Sequence, residues 1–255
     1  MELQIHLGEF QKRGLNLAAI SYDSPKILAA FAARRGITFP LLSDANSTVI
    51  RSFGIFNETI PATSSAHGVP HPGIYILDSA GKVTAKYFED NYAERVTASD
   101  ILVRQFGALP APTAVAETQR LRIAPSVSGR TAVGGQKLAL VLDIEIKRGL
   151  HITAPARWDM QQKHLFTDPA WPPSKTLHIK SLNEDTPVYE KRLKLIREVT
   201  IPSDESLRTA TNSQGVMTLE GVFKYQACDA KTCYPPESVP LKFEIQILRH
   251  DTQRY

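Results

Sequence analysis

The strongest constraint on this chain is the run from Lys137 to Lys147, in which Leu138, Leu140, Leu142, Ile144 and Ile146 occupy every second position. A period of two lays these residues on one face of an extended strand, whereas a helix would scatter them around its circumference. With Lys137, Ala139, Val141, Asp143, Glu145 and Lys147 between them, the run predicts a long strand with one strongly apolar face. The same alternation recurs at Leu177 and Ile179, and again at Leu193, Leu195, Val199 and Ile201, where Arg197 interrupts it. Further on it covers Met217, Leu219, Phe223, Tyr225 and Ala227, with Gly221 among them, and then Val239, Leu241, Phe243, Ile245 and Ile247. Several such runs separated by Gly, Pro, Asn, Asp and Ser clusters predict an all-β sandwich for the second half of the chain.

The two cysteines of the chain, Cys228 and Cys233, lie between the last two of these strands. Thiols that close in sequence can be bridged only where the backbone doubles back, as at a tight turn between antiparallel strands. Pro235 and Pro236 donate no backbone hydrogen bond, so they hold the segment after Cys233 out of a regular ladder. Three readings of the pair are open. As a staple, so small a loop would contribute only about 2 kcal/mol. As a metal site, the pair lacks the further cysteine or histidine ligands that zinc normally takes. Local dithiol spacing more often carries redox chemistry. In that reading Lys231 helps to stabilise a thiolate and Asp229 opposes it.

The run Tyr225-Gln226-Ala227-Cys228, four residues, then Cys233-Tyr234-Pro235-Pro236 resembles the active-site segment of the amino-terminal domain of the thiol:disulfide interchange protein DsbD family. Gly149-Leu150-His151-Ile152-Thr153-Ala154-Pro155 is a second, weaker match, and the likeness extends from about Thr118 to about Leu248. The resemblance implies an immunoglobulin-like sandwich that passes electrons by thiol-disulfide exchange, with Cys233 forming the mixed disulfide and Tyr225, Asp229, Lys231, Tyr234 and Pro235 as the supporting loop. A protective cap loop would fall near Asn183 to Tyr189. The cysteine spacing here is slightly shorter than in the well-known member, so the reactivity of the pair does not carry over.

The first hundred residues alternate strand and helix. Leu15 to Tyr22 reads as a short strand, and Ser24-Pro25 supplies an N-cap and a first-turn proline for a helix bearing Ile27, Leu28, Phe31 and Ala32. A second helix is expected from about Asn46 to Phe53 and a last one from about Ala98 to Phe106. Gly73 to Leu77 and Val83 to Tyr87, joined by Asp78-Ser79-Ala80-Gly81, form an expected hairpin. The pattern predicts an α/β layer fold.

The segments Gly14 to Asp23, Ile37-Thr38-Phe39-Pro40-Leu41-Leu42-Ser43-Asp44 and Gly68 to Asp78 resemble the alkyl hydroperoxide reductase and thiol-specific antioxidant family, the peroxiredoxin-like branch of the thioredoxin fold. That resemblance implies a cis-proline before the hairpin, and Pro72 is the candidate. It also implies a catalytic cysteine at the start of the first helix, but this chain begins in what reads as the tail of that helix. No cysteine precedes Cys228, so the family's peroxide chemistry is beyond this chain as written. The expectation is a truncated thioredoxin-like domain, with the central strand of its sheet missing.

Together these readings give two domains: residues 1–107, thioredoxin-like, a Pro/Ala linker at 108–118, and a sandwich at 119–255 that carries the redox pair. A 42% hydrophobic content is enough for two cores. A net charge of +4, from 30 basic and 26 acidic side chains, identifies no polyanionic partner. The basic run Lys191 to Arg197 reads as the wet face of a strand rather than a nucleic-acid surface, because no recognition helix or stacking module accompanies it. Trp158 and Trp171 read as packing residues. There is no apolar run of membrane-spanning length and no signal peptide in this chain. A DsbD-like domain nevertheless belongs in an oxidising compartment, so the intact protein is expected in the periplasm or cell envelope. The expected function is thiol-disulfide exchange through Cys228 and Cys233, with no cofactor and with a thioredoxin-like protein or domain as partner. The competing class is a binding module in which the disulfide only fixes a loop.

Overall fold

The computed structural model describes residues 2–64, 67–89, 94–179 and 184–248, and the chain divides into two compact units, Met1–Ala98 and Ser99–Tyr255. The first contains helices α1 (Glu2–Ile5) and α2 (Leu7–Gln11), strand β1 (Ala19–Ser21), α3 (Pro25–Arg35), β2 (Leu41–Ser43), α4 (Thr48–Ser52), β3 (Gly73–Leu77), β4 (Val83–Phe88) and the short β5 (Arg95–Val96). β1 and β2 pair in parallel, and β3 and β4 form the expected antiparallel hairpin. These are two separate sheets among the described residues.

Local chemistry sets the ends of these elements. Ser24 adopts extended backbone geometry and accepts a hydrogen bond from the Ile27 N–H, while Pro25 sits in the first turn of α3. Gly36, at φ +61°, ends α3 in the left-handed conformation that glycine adopts without steric cost. The Asp78 carboxylate closes the hairpin turn by accepting from the N–H groups of Ala80 and Lys82, each at 2.9 Å. The expected strand from Leu15 shortens to β1, because the Leu15 N–H turns back to the Phe10 carbonyl instead of joining a ladder.

One expectation in this unit is overturned. The cis peptide bond among the described residues joins Ala154 to Pro155, in the other unit, and the bond before Pro72 is trans. The segment ahead of Pro72 is held extended by a bridge between Phe56 and Pro70 and by the His71 N–H donating to the Ile55 carbonyl at 2.7 Å. With that pairing in place, the ordinary trans preference of an X-Pro bond is met.

The second unit begins within α5 (Ala98–Phe106) and continues through β6 (Ala116–Glu117), β7 (Leu121–Val127), β8 (Thr131–Ala132), β9 (Gln136–Ile146), β10 (His151–Thr153) and β11 (Arg157–Met160). It is completed by β12 (Lys175–Ile179), β13 (Glu184–Glu190), β14 (Arg192–Thr200), α6 (Ser206–Ala210), β15 (Val216–Tyr225), β16 (Ala227–Cys228) and β17 (Glu237–Ile247). The order β14-β9-β7-β6 forms one layer of an immunoglobulin-like sandwich, and β11-β15-β17-β8 forms the other. Between them lie Leu138, Leu140, Leu142 and Ile144 of β9, Leu193, Leu195 and Val199 of β14, Met217, Leu219 and Phe223 of β15, and Leu241, Phe243 and Ile245 of β17, all buried. Trp158 belongs to this core and Trp171 packs against it, as expected.

The boundaries differ from those expected in two respects. The expected first domain includes α5, yet Val103 packs on Ala139 and Val141 on the back of β9. The middle of β9 is therefore buried on both faces, which the alternation did not reveal because alanine and valine are small. The Pro/Ala segment also docks before its expected end: the Thr113 N–H donates to the Pro125 carbonyl, and Ala116–Glu117 pairs with β7. Arg197, which breaks the apolar pattern of β14, donates to the carbonyls of Thr167 and Trp158 and lies against the Trp158 and Phe166 rings. Its charge is thus fully engaged although burial draws its pKa down. The basic run lies on β14, which pairs with β9 along its whole length, and its Arg192 is tied to Asp143.

Candidate functional site

A third, smaller sheet carries Cys228. Its order is β12-β13-β10-β16, and β16 is the two-residue strand that ends on Cys228. Cys228 and Cys233 form a disulfide whose Cα atoms are 4.0 Å apart, and the two residues face each other as an isolated antiparallel bridge. The turn between them is built by Asp229. Its carboxylate accepts from the N–H groups of Lys231 and Thr232, both at 2.7 Å, and from the Tyr234 hydroxyl at 2.7 Å. These bonds, that from Lys231 foremost, hold the Asp229 pKa below the ordinary carboxylate value and raise that of Tyr234. Asp229 thus stays ionised while its carboxylate also builds the turn.

The return strand is fastened as firmly. The Tyr234 N–H donates to the Ala227 carbonyl, and the Gln226 side chain donates to the Tyr234 carbonyl. The Arg120 guanidinium lies 4.1 Å from the centre of the Tyr234 ring and pairs with Glu237. Glu237 also accepts from the buried Tyr225 hydroxyl, which lies 3.1 Å from the Thr118 Oγ1. Burial raises the Tyr225 pKa, so it remains a neutral hydrogen-bond donor. Pro235 and Pro236 are exposed and lie outside any ladder, as their chemistry requires, and β17 starts at Glu237. Lys231 is exposed at the tip of the turn.

The two cysteines are not equally buried. Cys228 is fully buried, at 0% exposure, whereas Cys233 is half-buried. Both are committed to the disulfide, so neither is available as a metal ligand.

The pairing of β10 with β16 brings in a residue that local reading did not single out. His151 lies directly opposite Cys228 on one side and opposite Glu190 of β13 on the other. It is 6% exposed, and its Nε2 has no hydrogen-bond partner. His151 was part of the weaker matched segment, but only long-range strand pairing shows what it faces. Of the expected cap segment, Asn183 lies outside the described residues, and Glu184–Tyr189 form most of β13, which flanks β10. Pro72 belongs to the other unit and is not among these residues.

Comparison with known proteins divides the chain in the same way. Residues 1–86 match the family model "AhpC/TSA family", and residues 123–244 match "Thiol:disulfide interchange protein DsbD, N-terminal". The Escherichia coli (strain K12) protein "Peroxiredoxin Bcp" is 31% identical over 81 residues, which are 32% of this chain and 51% of that protein. The chain spans about half the length of the curated relatives it matches. Among solved structures, the Neisseria meningitidis DsbD n-terminal domain in the reduced form is 16% identical, with a TM-score of 0.33, covering 49% of this chain and 84% of that one. The N-terminal periplasmic domain of ScsB from Proteus mirabilis is 13% identical, with a TM-score of 0.37, covering 54% and 52%.

Proposed function

We propose that this chain, which joins an AhpC/TSA peroxiredoxin-like region to a DsbD N-terminal domain, carries electrons by thiol-disulfide exchange at Cys228 and Cys233. The observation that carries this reading is the asymmetry of the disulfide: Cys233 is a half-buried residue, whereas Cys228, at the end of a small sheet, is fully buried. A staple needs no such asymmetry, whereas exchange needs one sulfur open to attack and another to leave. A partner thiolate attacks the Cys233 Sγ, a new S–S bond forms there, and the electron pair of the broken bond goes to the Cys228 Sγ. A second thiol of the partner then displaces Cys233, leaving the partner oxidised and the pair reduced.

The partner is a thioredoxin-like dithiol protein, or such a domain in the intact polypeptide, where a linker would raise its effective concentration. The first unit contains no cysteine in this chain, so peroxide reduction is assigned only to an intact form that supplies one. A stable local disulfide and a DsbD-type domain support an oxidising envelope compartment. Among the described residues, no helix is long and apolar enough to cross a membrane. To test the reading, the oxidised protein is mixed with a thioredoxin-like dithiol or with an equal concentration of dithiothreitol, and reduction is followed by alkylation mass shift. Faster reduction by the protein dithiol is expected. Equal or slower reduction would return the disulfide to the role of a staple in a binding module.

A further inference from the structure

We infer that His151 is the proton acceptor and donor for Cys228, a positioning residue that acts through that sulfur and makes it a competent leaving group and nucleophile. The inference rests on the exchange reading and deepens it. Directly opposed residues in an antiparallel pair carry their side chains on the same face with Cβ atoms about 5 Å apart. His151 and Cys228 are such a pair. The His151 Nε2 is buried without a partner, and an unsatisfied polar atom at that depth is costly unless it has a use. Of the two residues directly opposite it in the sheet, Glu190 and Cys228, the one whose proton inventory changes during exchange is Cys228.

The surroundings fix the form of the imidazole. Burial lowers its pKa, while Glu190 from β13 and Asp229 from the turn after β16 pull it back upward. Glu190 is itself paired with Lys175 of β12 at 3.2 Å, which restrains its pull. At neutral pH His151 is therefore an uncharged base in the oxidised protein. A base serves Cys228 because the residue is fully buried, away from the solvent that would otherwise exchange its proton.

The protons balance through one cycle. When a partner thiol ionises and its thiolate attacks Cys233, the released proton passes through solvent to His151, and the imidazolium faces the Cys228 thiolate as the S–S bond breaks. The proton then moves to Cys228 and His151 returns to neutral. In the reverse direction neutral His151 takes the Cys228 proton, and the thiolate attacks Cys233 and expels the partner.

The test measures the thiolate absorbance of Cys228 against pH in a Cys233→Ser protein, with and without His151→Gln. Removing the base is expected to move the thiolate midpoint upward by about one pH unit, a tenfold fall in thiolate at a given pH below it. Ile152→Val in the same background, which trims the neighbouring core residue and keeps the imidazole, is expected to leave the midpoint in place. In the two-cysteine protein, His151→Gln should also shift the pH profile of exchange to higher pH. An unchanged midpoint, or an equal shift in Ile152→Val, overturns the inference. A midpoint shift in a protein that exchanges no faster with a protein dithiol than with a small one supports the His151–Cys228 coupling while rejecting the carrier reading.

Discussion

A Cys228→Ser protein is expected to accumulate as a stable mixed disulfide with a thioredoxin-like partner, and a Cys233→Ser protein is expected to remain free. The partner in this experiment carries one cysteine, activated as its thionitrobenzoate disulfide. Attack by the remaining thiol of the variant then releases coloured thionitrobenzoate and leaves a covalent complex. In Cys228→Ser the half-buried Cys233 makes the attack, and no second thiol is present to resolve it. In Cys233→Ser the only thiol is Cys228, which is sealed at 0% exposure behind its neighbours. A rate difference on the order of a hundredfold, equivalent to about 2.7 kcal/mol of barrier, is expected between the two. Comparable rates would mean that the burial asymmetry does not govern attack, and would remove the main support for Cys233 as the entry point.

The second large effect is on stability. Phe243 is fully buried on β17, with its ring centroid 6.2 Å from that of Trp158 on β11, so it fills the interior of the sandwich. Phe243→Ala removes most of a large apolar side chain and leaves a cavity that flanking strands cannot readily collapse, at a cost of about 3–5 kcal/mol. That is a large share of the stability of an ordinary domain. Chemical denaturation of the sandwich, followed by Trp fluorescence, should show a midpoint lowered accordingly. Because the disulfide loop is fixed by its own hydrogen bonds, donated to Asp229 by Lys231, Thr232 and Tyr234, the variant that remains folded in buffer should keep the wild-type order of cysteine reactivity. A loss below about 1 kcal/mol would place Phe243 outside the true core.

Much of this architecture could be read from the residues because each element obeys one local rule. The period-two runs of β9, β14, β15 and β17 place the side chains found in the core. Ser24, Pro25 and Asp78 mark their helix start and turn by capping chemistry that acts over a few residues. What could not be read depends on distant pairing or on small side chains. Ala139 and Val141 alternate with larger residues and so read as the weaker face of β9, but that face is covered by α5. The docking of the Pro/Ala segment depends on a carbonyl of Pro125 and on pairing with β7.

The site shows the same division. That Cys228 and Cys233 meet across a tight turn is legible in their spacing and in the prolines that follow. The turn-building role of Asp229 is not legible from its charge, because it depends on where the N–H groups of Lys231 and Thr232 and the Tyr234 hydroxyl fall. His151 stands far from the cysteines along the chain, and nothing local says that β10 pairs with β16. The Thr118, Arg120 and Glu237 contacts that hold Tyr225 and Tyr234 likewise arise only when β6, β7, β15 and β17 assemble. The bond before Pro72 departs from the family pattern for a related reason: the segment ahead of it is set by the pairing of Phe56 with Pro70 and the His71 bond to Ile55.

The central claim is that the Cys228–Cys233 bond is a carrier of electrons and not a fixture of the fold, and its reduction potential tests this most directly. The protein is equilibrated in a series of thiol buffers, quenched in acid and alkylated, and the fraction reduced is read by mass. A potential well above about −300 mV is predicted, in the range where exchangeable disulfides lie and structural ones do not. A value far below −300 mV would contradict the account and make the second unit a sandwich with a permanent staple.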